Sequence, residues 1–90
     1  MEFVEYEEKI QHKNKVSIGP RGTVSYVQIT DITITNNATG KSNHKTVTTT
    51  NDYSDKNRFL VLKSLDEDIH DWIVWHAVCE LYDELNIRTY

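Results

Sequence analysis

Three side chains on one stripe of the predicted C-terminal helix are of types that bind metal ions. His76 and Glu80 are four residues apart and Asp83 follows one turn later, so all three share a helical face. Imidazole and carboxylate groups are zinc ligands, but a closed zinc site takes four ligands and this stripe offers three. A solvated acidic face explains the same residues more simply. We therefore predict neither a metal nor a cofactor.

A second cluster of titratable residues lies near the predicted start of that helix. Asp66, His70 and Asp71 are close in sequence, but acidic residues are common in a first helical turn because the helix dipole favours them there. Cys79 falls among apolar positions, where a thiol is usually inert. No nucleophile, base and orienting group can be aligned from spacing. The sequence therefore predicts a protein that is not an enzyme.

The segment Gly40-Lys41-Ser42 resembles the end of a phosphate-binding P-loop. That motif requires another glycine five residues earlier and a helix directly after it. Position 35 is Thr, and the residues that follow are typical of a loop and a strand. The sequence therefore does not predict nucleotide binding at this segment.

The elements that position these residues belong to one small domain. Ninety residues, of which 38% are hydrophobic and 27% charged, are typical of a single globular unit. The single Cys79 rules out an internal disulfide and indicates a reducing compartment. Four Glu among the first eight residues are unlike a secretory signal, and no apolar run reaches the roughly 20 residues of a membrane span. We predict a soluble cytoplasmic protein that does not contact membrane.

Residues 1–63 are predicted to be mainly β-structure. The densest β-branched run, residues 23–35, places Val24, Tyr26, Ile32 and Ile34 on one face. Val27 and Ile29 fall on the other face, so this strand is either apolar on both sides or changes face at a bulge near Asp31. The predicted strands number four to five and occupy residues 3–10, 16–18, 23–35, 44–50 and 58–63.

One long helix is predicted within residues 64–87. Ser64 and Glu67 fit a capping box at its start. At about 100° per residue, one wide apolar arc should cover the sheet: Trp72, Val74, Trp75, Val78, Cys79, Leu81, Tyr82 and Leu85. Residues Val74, Val78, Leu81 and Leu85 also have the spacing of a short coiled coil, although two heptads favour ordinary core packing. The predicted fold is α+β, an antiparallel sheet of four to five strands with this helix packed on one face.

Ile69 and Ile73 fall opposite the main apolar arc, where a one-layer sheet cannot cover them. A second copy of the chain would bury them, which predicts a homo-oligomer, most simply a dimer. The alternative is that residues 1–10 cover these side chains within one chain.

Charge is sorted along the chain. Residues 9–63 hold nine Lys or Arg against three Asp, whereas the flanking segments hold eleven acids against Arg88 alone, for a net charge of −4. Local potential steers association, so we predict an acidic partner-binding surface formed by Glu5, Glu7, His76, Glu80, Asp83 and Glu84. An alternative nucleic-acid surface would use the basic residues of the β region, Arg21, Lys41, His44 and Lys45.

Small size, the lack of a catalytic pattern and uncovered apolar surface together indicate a function in binding. The favoured prediction is a non-enzymatic inhibitor or adaptor of another macromolecule, of the kind that phages encode, which acts through the acidic surface and has another protein as its expected partner. Two alternatives stay open: a nucleic-acid-binding protein that uses the basic β region, and a structural subunit of a homo-oligomer.

Overall fold

The computed structural model describes residues 5–87, which form three strands and one long helix. Strand β1 spans Tyr6–Ile18, β2 spans Val24–Asn36 and β3 spans Ser42–Tyr53, and helix α1 spans Lys56–Glu84. The molecule is an α+β slab about 56 × 21 × 14 Å. The expected fold class is confirmed, but the sheet has three strands and not four to five.

The sheet is an antiparallel meander in the order β1, β2, β3. The pairing runs without a break from Tyr6 opposite Asn36 to Ile18 opposite Val24, so two of the predicted strands, 3–10 and 16–18, are parts of one strand; residues 3 and 4 lie outside the described residues. The same continuity in the β2–β3 pairing leaves no bulge at Asp31. Strand β2 is therefore apolar on both faces near its middle.

Tight turns join the strands. Between β1 and β2, Pro20–Gly22 form a single 3₁₀ turn in which Arg21 and Gly22 both have positive φ, at 65° and 75°. Between β2 and β3, Gly40 has φ of 75°, and the side chain of Asn36 accepts a hydrogen bond from the backbone N–H of Ala38. Glycine tolerates this left-handed backbone best, and both turns lie in polar, Gly-containing segments of the sequence.

Helix α1 begins at Lys56, well before the predicted start near residue 64. Its N-cap is Asp55, whose carboxylate accepts a hydrogen bond from the backbone N–H of Arg58 at 2.7 Å. Ser64 and Glu67 therefore lie inside the helix and do not cap it. Residues 58–63 were expected to be a strand, and that expectation was wrong, because they lie within the first three turns of α1.

One stripe of α1 packs on the helix-facing side of β2 and β3. The main core cluster joins β-strand residues to this stripe: Ile32, Ile34, Val47, Val74, Ala77, Val78, Leu81, Leu85 and Ile87. A smaller cluster of Val24, Tyr26 and Tyr53 contacts Phe59 near the start of the helix. The four residues of the possible short coiled coil belong to the core, as ordinary packing predicted. Within residues 5–87, no helix is apolar enough over a sufficient length to cross a bilayer.

The predicted packing arc of the helix is correct on one side and wrong on the other. Val74, Val78 and Leu81 face the sheet, but Trp72 and Trp75 are 63% and 62% exposed. The sheet-facing stripe instead includes Ala77 and the fully enclosed His70. The face of α1 that packs on the sheet therefore includes neither tryptophan.

Candidate protein-binding surface

Helix α1 exposes large apolar side chains, most of them on the side that faces away from the sheet. The exposed fractions of these residues range from 37% to 74%: Leu60, Val61, Leu62, Leu65, Ile69, Trp72 and Trp75. Isolated exposed apolar residues are ordinary, whereas a contiguous row marks an interaction site. Because the first half of the helix carries apolar residues on nearly every side, the sheet can cover only a small part of them.

Eight of the outward-facing residues form a regular row, which we call the outer seam: Arg58, Leu62, Leu65, Ile69, Trp72, His76, Cys79 and Asp83. Their separations alternate between four and three residues, which is the spacing that brings side chains to the interface of two paired helices. All eight are exposed except Cys79, which is half-buried. The row is about 40 Å long at 1.5 Å per residue.

The centre of the outer seam is aromatic. The ring of His76 lies edge-on to Trp72, with centroids 4.2 Å apart, and 5.3 Å from the ring of Trp75. Trp is enriched at the energetic centres of protein interfaces because one side chain removes a large apolar area from water. This three-ring cluster is therefore the part of the surface best suited to anchoring a partner.

The ends of the outer seam carry opposite charges. Arg58 stands at the N-terminal end and Asp83 at the C-terminal end, and α1 has no acidic residue in its first turn and no basic residue in its last. This is the reverse of what the helix dipole favours. The charges of α1 are thus unfavourable for an isolated helix and favourable for one that lies antiparallel to another.

Most of the acidic residues predicted to bind a partner contact this chain's own sheet or point in different directions. Lys45 Nζ lies 2.5 Å from a carboxylate oxygen of Glu80 and 3.4 Å from one of Glu84. The Glu80 hydrogen bond raises the pKa of Lys45 and lowers that of Glu80. Asn43 also donates to Glu84. The acidic helix face is thus partly neutralised by a lysine assigned to the opposite, basic surface.

The N-terminal glutamates do not join the helical acids. Tyr6 and Glu8 face the helix, where Tyr82 donates a hydrogen bond to Glu8 at 2.9 Å. By strand alternation Glu7 points to the open face of the sheet, and Glu5 is exposed just before β1. Of the six predicted acidic-surface residues, His76 and Asp83 are the two that lie on the outer seam.

The basic residues predicted to contact nucleic acid are not brought together. Arg21 lies in the β1–β2 turn and Lys41 beside the β2–β3 turn, at opposite ends of a strand about 40 Å long. His44 lies on the open face, 3.7 Å from Asp31, and Lys45 lies on the helix side. These four residues form no continuous basic patch.

A buried polar chain that sequence reasoning missed crosses the layer between sheet and helix. His70 is hydrogen-bonded through Nε2 to Thr30 Oγ1 and through Nδ1 to Thr49 Oγ1, at 2.7 and 2.8 Å. Thr30 is also bonded to His12 Nδ1 on β1, at 2.8 Å. Burial lowers the pKa of His70, because a charged imidazole is poorly solvated there. The sequence contains a signal for this burial, because His70 is four residues before Val74, on the stripe of α1 that packs on the sheet.

The shared hydroxyl of Thr30 couples the two imidazoles. A hydroxyl donates only one hydrogen bond, so at least one of the two histidines must donate a ring N–H to Thr30 Oγ1. The hydroxyl thereby links exposed His12 on β1 to buried His70 on α1.

Two of the surface clefts could admit a small molecule. The smaller of the two, of about 200 Å³, is lined by His12, Asn14, Gln28, Glu67, His70 and Asp71. Glu67 in this cleft already accepts a hydrogen bond from the Tyr26 hydroxyl. Burial, and then this hydrogen bond, raise the pKa of Tyr26 to about 12. Across the described residues, no three His, Cys, Asp or Glu are arranged to hold a metal ion. The other cleft, of about 460 Å³, is lined by uncharged side chains apart from Asp52.

Comparison with known proteins finds no family model that matches the chain, and no curated protein or solved structure that is similar to it.

Proposed function

We propose that this protein is a non-enzymatic protein-binding module whose working surface is the outer seam of α1. The observation that carries the proposal is the solvent exposure of Trp72, together with Leu65 and Ile69, in a row with helix-pairing spacing. A domain this small has little stability to spare, and exposed apolar rows increase the risk of aggregation unless a partner covers them.

The partner that fits this surface is a helix of another polypeptide. A long, narrow apolar row with charges at its two ends matches the apolar stripe of an amphipathic helix, which presents residues every three or four positions. The outer seam shares His76 and Asp83 with the acidic surface predicted from sequence. Glu80 and Glu84, which form ion pairs with Lys45, are not part of it, and apolar side chains make up its centre.

Site-specific photo-crosslinking in cells that express the protein tests the proposal. A photoreactive amino acid replaces Leu65 on the outer seam, or Lys13, an exposed residue on the open face of the sheet. We expect a discrete protein adduct from position 65 and little or none from position 13. Equal labelling at both positions, or none at position 65, would contradict the proposal.

A further inference from the structure

The charge pattern of α1 identifies the occupant of the outer seam. Resting on the proposed function, we propose that a second copy of this chain covers the seam, with the two α1 helices antiparallel and Arg58 of each facing the partner's Asp83. In this arrangement the two antiparallel helices form the central layer, and the two sheets lie on opposite sides of it.

The register follows from matching the ends of the row. If Arg58 faces the partner's Asp83, the two helices cross at a two-fold axis between residues 70 and 71. Each heptad a position of one seam then faces a d position of the other, as in antiparallel coiled coils. Leu62 then faces the partner's Cys79, Leu65 the partner's His76 and Ile69 the partner's Trp72. No apolar seam residue faces a charged one.

A parallel arrangement would be unfavourable for the same residues. It would place Arg58 against its own copy and Asp83 against its own copy, and like charges at close range repel. It would also align the two helix dipoles side by side in the same direction. The antiparallel pair brings the basic first turns, with Lys56 and Arg58, beside the acidic last turns, and so offsets the reversed charge pattern of each helix.

The exposed apolar area supplies a large part of what a dimer interface requires. The apolar seam residues and the flanking Val61 and Trp75 expose on the order of several hundred Å² of apolar surface, and a stable interface takes roughly 800 Å² per partner. The apolar central part and charged ends match the usual division of an interface into a dry core and a polar rim.

Charge reversal at the two ends tests the register. In sedimentation equilibrium, Arg58→Asp or Asp83→Arg alone should raise the dimer dissociation constant by roughly tenfold, since each replaces two attractive pairs by two repulsive ones. The double variant should return to within about threefold of wild type, a difference of less than 1 kcal/mol. Each reversal improves the helix's own dipole interaction, so lost association would not reflect an unfolded helix. A double variant no better than the singles would overturn the antiparallel register.

Disulfide trapping gives an independent readout. With Cys79→Ala as background, a protein carrying Arg58→Cys is mixed with one carrying Asp83→Cys and then oxidised. The inference predicts mainly the mixed 58–83 disulfide. Predominant 58–58 and 83–83 products would overturn it in favour of a parallel pair.

The inference and the proposed function fail in different ways. If wild type is a monomer at all concentrations while position 65 crosslinks to a different protein, the second-copy inference is wrong and the proposed function stands. If position 65 also gives no adduct, both are wrong.

Discussion

The Nε2 atom of His70 lies 2.7 Å from the hydroxyl of Thr30, in the layer where α1 packs on the sheet. This contact and the matching bond to Thr49 satisfy both ring nitrogens of a side chain that is only 2% exposed. A histidine with both nitrogens satisfied is compatible with a packed core as long as it stays neutral.

Stability should fall in mild acid because of His70. Its pKa is lowered in the folded state, so below about pH 6.5 the unfolded chain binds a proton that the folded chain does not. The contribution of neutral His70 to the free energy of unfolding is complete above about pH 6.5, and it is lost as the pH falls from there toward the lowered pKa. The nearby titratable groups are Asp71 on the same helix, which opposes the shift, and His12 on β1, which adds to it.

Urea unfolding of wild type and His70→Gln between pH 7.5 and 5 measures this effect. We expect the wild-type free energy of unfolding to decline more steeply, by up to about 1.4 kcal/mol per pH unit. The variant should be less stable at pH 7, but its free energy of unfolding should change less with pH. Parallel curves for the two proteins would show that His70 titrates normally.

Leu81 and Leu60 test whether the buried positions of α1, and not its exposed apolar positions, carry the fold. Leu81 is fully buried and Leu60 is 63% exposed on the same helix. Leu81→Ala should cost about 2–5 kcal/mol of unfolding free energy because it leaves a cavity, whereas Leu60→Ala should change it by less than about 1 kcal/mol. Thermal and urea melts provide the values, and similar losses in both variants would mean that the helix packs through another face.

Lys45 should matter for folding and Lys41 should not. Lys45 joins β3 to Glu80 and Glu84 of α1, while Lys41 is exposed beside a turn. Lys45→Glu would place three carboxylates together and should lower the melting temperature, with a smaller deficit at high salt because salt screens the repulsion. Lys41→Glu should melt like wild type. Equal melting of both variants would remove the ion pairs from the account of the fold.

Asp55 should be required for the early start of the helix. Asp55→Ala removes the acceptor of the Arg58 N–H bond and should cost about 1 kcal/mol, and Asp55→Asn much less, because Asn is an equally good N-cap. Circular dichroism and urea melts report both effects. Asp52→Ala, an exposed neighbouring position, serves as the control and should stay within about 0.5 kcal/mol of wild type. A loss as large in the control would point to a general charge effect.

Much of the fold could be predicted because local patterns agreed with it. The alternation of β2 placed Tyr26 and Ile32 on the buried face, and the Gly-containing segments marked both turns. The run at residues 58–63 was misread because an apolar run of six residues fits a buried strand and a helix equally well. Asp55, three residues before Arg58, was the available signal for the helix start.

The outer seam could not be predicted for the same reason. With residues 58–63 read as a strand, the heptad row lost Arg58 and Leu62. Ile69, His76 and Asp83 were placed on the side opposite the core-facing arc, so they were not joined to the tryptophans. Trp72 and Trp75 were assigned to the sheet because they lie within the wide apolar arc that also holds Val74, Val78 and Leu81. The helix instead turns His70 and Ala77 toward the sheet, since Thr30 and Thr49 supply the partners that a buried imidazole requires. This pairing depends on three elements that are distant in sequence.

Sedimentation equilibrium of wild type beside two matched variants shows whether the outer seam joins two copies of this chain. Ile69 on the outer seam and Val16 on β1 are exposed to almost the same extent, 50% and 49%, so Ile69→Glu and Val16→Glu should affect the folded chain similarly. We expect wild type and Val16→Glu to be dimers at micromolar concentration and Ile69→Glu to be a folded monomer. A wild-type monomer throughout, or an Ile69→Glu dimer as tight as wild type, would contradict this expectation.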